Sequence, residues 1–415
     1  MLIEFRVENH RSIADEQTLS FVTGRPADQE DRRSRAAPGC ADRLVPVVAI
    51  FGANASGKTN VLDALVWMRF AIVSSQAHWL PGQGVPRQPF GWGGWLGRPS
   101  KFEATFALEG TRYRYAFEVD NTVVVREQVD AWPSGRKQTW LSREGDKFRF
   151  GKHLLGENRV VQDVTRPNAL FLSAAAQLRH TQLTPIWRWF ADAHPSSWLV
   201  RRRWHAGATA QWVAGMLETQ PKLFPLSQGA IDPRAALLEI LRQADMDIAD
   251  VRVEAEETRT GPKRHNVFVR HESAGDAWLP IEEESAGTQA FVQLLPGLFE
   301  SIGQGRLMVL DELDASLHPK LTRAIVHAFQ SPLANPHGAQ LACTTHDTSL
   351  MGTLIGDPTL RRDEIWFTEK QASGATTLTP CAAYHVRKNE NLERGYVQGR
   401  YGASPLIGPL IVGSE

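Results

Sequence analysis

Eight consecutive residues, Gly52-Ala53-Asn54-Ala55-Ser56-Gly57-Lys58-Thr59, constrain this chain more than any other stretch. They fill every fixed position of the pattern G-x-x-x-x-G-K-[ST]. The apolar run at 47–51 ahead of them reads as a strand buried on both faces. Behind them Val61, Leu62, Leu65, Met68 and Ile72 recur at helical spacing. A strand, a glycine-bearing turn and a helix start together aim backbone N–H groups at one point, where a polyphosphate can sit. The candidate phosphate cradle is therefore Gly52 through Thr59 with Asn60 in the first helical turn. Lys58 offers a point charge to the β- and γ-phosphates, and the Thr59 hydroxyl a ligand to magnesium.

The whole chain has 415 residues, room for two lobes or about two to three domain-sized units. Lys and Arg total 46, and so do Asp and Glu. No global field draws such a chain to nucleic acid, so any contact of that kind needs a local patch. Cys40, Cys343 and Cys381 lie far apart without metal-ligand spacing, which suits a reducing compartment and offers no disulfide framework. There is no basic-then-apolar leader and no apolar run long enough to cross a bilayer. The expectation is a soluble cytoplasmic protein with no membrane partner.

Residues 2–9 alternate apolar and polar and read as a half-exposed strand, with 18–22 as its return. Residues 24–43 read as a polar surface loop, and 81–99, rich in Gly, Pro and Trp, as irregular. Alternation at 102–108 and 113–119 about Glu109-Gly110-Thr111 predicts a hairpin in an antiparallel sheet, with further strands near 123–129 and 138–141. A short strand is expected at 169–172. From 174 to 244 the pattern turns helical, and 251–253 with 266–269 forms a second hairpin. The last third reads strand, helix, strand, helix, with short strands at 306–310, 340–344 and 365–367.

Leu307-Met308-Val309-Leu310-Asp311-Glu312 is an apolar strand ending in two acids. Beside a phosphate loop, Asp311 can hold magnesium through water and Glu312 can polarise the water that attacks the γ-phosphate. Upstream, Glu284-Ser285-Ala286-Gly287-Thr288-Gln289 opens an apolar helix. Ser285, Gly287 and Gln289 at such a start make a second anion site, although Ser285 taken alone reads as an ordinary N-cap. Two phosphate-seeking sites that cannot reach one nucleotide within one chain suggest a two-fold dimer with nucleotide between the copies. His346, at the tip of the next apolar strand, would lie beside the γ-phosphate. Asp314 and Ser316 belong to the intervening turn Asp314-Ala315-Ser316-Leu317-His318-Pro319, placed to reach the partner copy.

This order of phosphate loop, long insertion, S-x-G-x-Q, apolar-Asp-Glu, turn and strand-His resembles that of ABC-type ATPases, and within them the soluble SMC/RecF/OLD-like branch. The opening Phe5-x-Val7-x-Asn9-x-Arg11-Ser12-Ile13 is similar to the first strand of that branch, and so is Asp311 to Pro319. The closing Asn389-x-Asn391-x-x-x-Gly395-Tyr396-x-x-Gly399-Arg400-Tyr401-Gly402-Ala403 resembles the tail of AAA-type ATP-binding proteins in bacterial anti-phage (abortive-infection type) operons. The signature departs from transporter subunits at Ala286 and Thr288, where those usually carry Gly. The resemblance implies an α/β fold, a P-loop NTPase with an ABC-type head: a mixed central sheet flanked by helices, an antiparallel β subdomain and a short helical lid insertion. It implies ATP and Mg2+ as ligands, Glu312 and His346 as catalytic residues, and Ser285 and Gly287 acting across a self-association interface, in an ATP-sandwich homodimer or a higher even oligomer. It also implies a glutamine among the magnesium ligands, for which Gln177 is the candidate. A defence role would add an effector encoded nearby, such as a TOPRIM-like nuclease. The other reading is a RecF-like DNA-binding ATPase of repair or loading, marked by duplex-stimulated turnover with steep salt dependence.

The insertion lacks the sustained heptads of a coiled-coil arm. Its basic cluster Arg201-Arg202-Arg203-Trp204-His205 reads either as a solvated helix face or as a grip on nucleic acid. Arg394, Tyr396, Arg400 and Tyr401 of the tail could pack against the last strand, dock a partner or cap the nucleotide. The expected division is 1–172, a lobe with the phosphate loop and antiparallel subdomain; 173–250, the lid; and 251–415, a lobe with signature, acidic strand and histidine.

Overall fold

The computed structural model describes residues 1–24, 33–195, 213, 233–244, 246–256, 264–353, 356–384 and 391–403. Phe5 and Val7 alternate with Glu4, Arg6 and Glu8, and Leu2–Glu8 is accordingly a strand with one buried face. It joins a seven-stranded antiparallel sheet in the order Lys147–Phe150, Gln138–Glu144, Val124–Trp132, Thr111–Val119, Ser100–Leu108, Leu2–Glu8, Gln17–Ser20. The predicted hairpin keeps its register, pairing Phe102 with Phe117 and Phe106 with Tyr113. These aromatic cross-strand pairs all turn to the same face.

The second sheet is mixed and six-stranded, in the order His194–Pro195, Leu307–Leu310, Gln340–Thr344, Val47–Gly52, Ile365–Lys370, Thr376–Pro380. All neighbours are parallel except the last pair. Val47–Gly52 is buried at every position, as an apolar central strand covered on both faces must be. Val48 and Ile50 face the core shared with the antiparallel sheet, whereas Val47, Ala49 and Phe51 face helices Ala286–Gln304 and Pro319–Gln330. Helix Lys58–His78 lies between the two sheets, and Trp67 stacks on Phe102 with ring centroids 4.6 Å apart. A three-stranded sheet of Ile248–Glu256, Arg264–His271 and Leu279–Pro280 completes the described strands of the last lobe.

Two local expectations are corrected. Residues 169–172 do not form a strand; helix Phe171–Gln177 begins there. Its first N–H groups, from Phe171 and Leu172, donate to the buried Glu127 carboxylate at 2.7 and 3.0 Å. Phe171, Leu172, Ala174 and Ala175 are all buried, and so short an apolar run shows no period to separate helix from strand. Residues 33–43, which with Gly24 are the described part of the 24–43 stretch, are more firmly attached than a polar surface loop. Arg35–Ala36 pairs with Arg43–Leu44, and Ala37 and Leu44 pack with Ile3 and Ala107. Residues 81–99 are irregular apart from a single turn at Trp95–Gly97, and are held by Arg87, which donates to Leu96 O, Arg98 O, Asn121 Oδ1 and Ser100 Oγ. Of the insertion, helices Leu183–Ala191 and Pro233–Gln243 are described; the Arg201–His205 cluster lies outside the described residues. No helix among the described residues is long and apolar enough to cross a membrane.

Candidate functional site

The strand Val47–Gly52 hands the chain to a loop in which both glycines are required by space. A Cβ at Gly52 would stand 2.6 Å from Ser56 Oγ and 2.8 Å from Thr368 O. Gly57 adopts φ +100° and its missing Cβ leaves room for Thr376 Oγ1. Lys58 is buried, with Nζ donating to Gly52 O at 2.9 Å and Ala53 O at 3.0 Å. Burial lowers the pKa of its ammonium, against the opposing pull of Asp311, Glu312 and Asp314.

The strand order decides what flanks the loop. On one side stand the strands carrying the acids and His346, with Gln340–Thr344 between the acidic strand and the loop strand. Asp311 emerges buried at the end of Leu307–Leu310, and Thr59 Oγ1 donates to it, 3.0 Å from each carboxylate oxygen. Thr344 Oγ1 donates to Asp311 Oδ1 at 2.6 Å and accepts from Glu312 N at 2.7 Å. Asp314 Oδ1 accepts from Thr345 Oγ1 at 2.7 Å and from His346 N at 3.0 Å, so this acid shapes the histidine loop of its own chain. Partial burial, then the Lys58 charge, lowers the pKa of the His346 imidazole, which keeps the ring neutral at physiological pH.

The other side is a hydroxyl ladder. Thr376 Oγ1 donates to Ser56 O at 2.8 Å and lies 2.7 Å from Ser12 Oγ, which accepts from Asn60 Nδ2 at 2.6 Å. Ser56 Oγ is 2.7 Å from Thr368 Oγ1. The loop is thus tied to the opening hairpin and to the last two strands of the mixed sheet. Beneath it lies the tail. Tyr396, on helix Leu392–Val397, packs edge-on against Phe51 and stacks on Phe367, and its hydroxyl interacts with the Gly52 backbone. Tyr401 stacks on Phe367 with ring centroids 5.2 Å apart. Among the alternatives for the tail, packing against the last strands is what the fold displays.

Thr59 and Asp311 offer a convergent pair of hard oxygen donors, the chemistry a magnesium ion requires. Gln177 is not brought to them. It is exposed at the end of helix Phe171–Gln177, whose Leu170 N and Ser173 Oγ engage Ser75 and Gln76. Ser75 stands about 24 Å along the helix from Thr59 at about 1.5 Å per residue. Gln177 is therefore withdrawn as a metal ligand.

Ser285 is exposed and caps helix Ala286–Gln304, its Oγ accepting from Thr288 N at 3.1 Å. Gly287 is pressed against the turn at 314–319, where a Cβ would come 2.8 Å from Ser316 O. Gln289 Nε2 reaches back to Glu282 O and Glu284 O at 2.9 and 2.8 Å. Thr344, Thr376 and Ser12 are the residues that the sequence left unassigned at the site, whereas Tyr396 stood among the tail residues with three alternatives open. Of the first three, only Ser12 carried a local signal, through its place in the opening motif.

A family model described as "AAA domain, putative AbiEii toxin, Type IV TA system" matches residues 47–352. No curated protein matches. Among solved structures, an SMC head domain from Thermotoga maritima is 12% identical, with 91% of this chain and 98% of that chain covered and a TM-score of 0.39. An SmcHead bound to the C-winged helix domain of ScpA is 14% identical, covering 95% and 99%, with a TM-score of 0.38. An Smc head domain with an extended coiled coil, bound to the C-terminal domain of ScpA derived from Pyrococcus furiosus, is 11% identical, covering 91% and 95%, with a TM-score of 0.38.

Proposed function

The chain belongs to this family of AAA-domain ATPases, and from that premise we propose that it is a magnesium-dependent ATPase whose turnover controls a partner effector in bacterial anti-phage defence. The observation that carries the chemistry is the linked set Thr59–Asp311–Thr344–Glu312, which joins the phosphate loop to the acidic strand through three hydrogen-bond links. Thr59 and Asp311 would hold the magnesium ion, which when bound offsets charge on the phosphate oxygens. Lys58 binds the β- and γ-phosphates. Glu312, placed by Thr344, accepts a proton from the attacking water, and His346, neutral and anchored through Asp314, orients that water by a hydrogen bond.

The exposed Ser285 supports the second part of the reading, in which two copies associate head to tail and each signature helix start meets the other's triphosphate. The family description, with its toxin and its Type IV system, supports a role in a two-component defence module, and we propose that it acts in the cytoplasm. The units 1–172, 173–250 and 251–415 remain our working division. Because the mixed sheet draws strands from all three of them, and one core cluster takes residues from each, the three share one core. The test is Glu312→Gln. It should bind ATP, lose hydrolysis by at least about 100-fold and elute as a dimer with ATP. A variant that hydrolyses normally removes Glu312 from the mechanism, and one that stays monomeric with ATP removes the sandwich.

A further inference from the structure

The irregular loop Gly91-Trp92-Gly93-Gly94-Trp95-Leu96-Gly97 has no part in the phosphate chemistry, yet it is built against the same site. The sheet order gives a bound triphosphate a direction. The acids and His346 lie on one side of strand Val47–Gly52, so the γ-phosphate end points there, and the nucleoside end leaves on the side of Ile365–Lys370 and Thr376–Pro380. That side is walled by the opening hairpin and by the turn between these two strands. Thr376 N donates to Ser12 O at 2.7 Å, while Thr376 Oγ1 bonds the loop at Ser56 O.

Trp92 rests on this turn. Its Nε1 donates to Ser373 O at 2.7 Å, and its six-membered ring occupies the space that a side chain at Gly374 would fill. Phe90 braces it from behind with ring centroids 4.5 Å apart, and Phe90 is itself buried, its N–H donating to Asn9 Oδ1 at 2.9 Å. Arg11 N donates to Gln88 O at 2.7 Å, which sews the stretch ahead of Trp92 to the opening hairpin. Trp92, although so well held, is still 55% exposed. A large apolar ring that is rigid, uncovered and set at the nucleoside end of a phosphate site is suited to a flat aromatic ligand.

The geometry points to Trp92 as the stacking platform for the purine base of the bound nucleoside triphosphate. This rests on the ATPase reading above and adds the residue that grips the base. Stacking needs no hydrogen-bond pattern from the base, which fits a rim where the backbone and side-chain polar groups of Ser12, Ser56 and Thr376 are already paired with one another.

The experiment is calorimetric titration of the full chain, in magnesium buffer, with ATP and separately with inorganic tripolyphosphate. Trp92→Ala should weaken ATP by about tenfold and leave tripolyphosphate within about twofold, and Trp92→Phe should recover most of the ATP affinity. Unchanged ATP affinity in Trp92→Ala overturns the assignment. Equal weakening of both ligands overturns it too, because the indole would then be a brace for the loop. If the unsubstituted chain takes up neither ligand, the phosphate-loop reading itself falls, an outcome distinct from either of these.

Discussion

Thr344 holds Asp311: its hydroxyl donates to Asp311 Oδ1 at 2.6 Å, while its oxygen accepts the Glu312 N–H at 2.7 Å. One side chain on the neighbouring strand therefore sets both acids. Thr344→Val keeps the shape and the β-branch but removes both bonds. A hydrogen bond to a charged group contributes about 1.5–3 kcal/mol, so kcat should fall about 10- to 100-fold. KM for ATP should move little, because Lys58 and the loop are untouched. Steady-state hydrolysis alongside a thermal melt checks this; a normal kcat in a normally folded variant would refute the positioning role.

Lys58→Ala removes the one ammonium that the loop folds around. ATP affinity should drop by about 100-fold or more in calorimetry. The carbonyls of Gly52 and Ala53 lose a partner as well, so a modest loss of melting temperature is expected even without nucleotide. ATP bound as tightly as before would mean that the triphosphate lies elsewhere.

Ser285→Arg places a long cation at an exposed helix start and deletes the bond to Thr288 N. A single copy should still bind ATP, since the signature makes no bond to residues 52–60 among the described residues. Combined with Glu312→Gln, it should abolish the ATP-dependent dimer on a sizing column. A dimer that persists unchanged would place the association surface away from the signature.

Glu364 gives the protein a pH-dependent stability of its own. Burial first, and then the neighbouring Asp363 charge, pushes this carboxyl up to about 8, although Arg361 N donates to its Oε2 at 2.8 Å and Gln330 Nε2 at 2.9 Å. The unfolded chain ionises near the ordinary 4.5, so between 4.5 and about 8 the native state holds the extra proton. Stability from this group is complete below 4.5, falls as pH rises, and is lost above about 8. Glu364→Gln should flatten the decline in melting temperature between pH 5 and pH 9 relative to the unsubstituted chain. Parallel melting profiles for the two proteins would show that the carboxyl titrates normally.

What the sequence disclosed follows from how local each signal is. The phosphate loop, the acidic strand and the 102–119 hairpin rest on fixed spacings or a two-residue period, and each lies where expected. Thr344 and Thr376 were illegible because their bonds span long separations, 33 residues from Thr344 to Asp311 and 320 from Thr376 to Ser56. Ser12 was visible in the opening motif, but its bond to Asn60, 48 residues on, was not. A lone threonine at a strand end carries no mark of the acid it will hold. Gln177 was misplaced through its neighbours: an apolar run of four residues fits a strand or a buried helix equally. The strand reading set Gln177 just beyond a strand end, whereas the run opens a helix tied to Ser75 and Gln76. The tail motif leaves packing, docking and capping open in sequence, and the stacking of Tyr396 and Tyr401 on Phe367 selects packing.

That stacking has a consequence for biosynthesis. A ribosome that has passed residue 60 has delivered the entire glycine-rich cradle, yet the aromatic floor beneath Phe51 and Gly52 comes from residues 367, 396 and 401. The nascent protein is thus denied a finished nucleotide seat until residue 401 has been made. Proteolytic clipping of helix Leu392–Val397 would return a mature copy to that same unfinished condition.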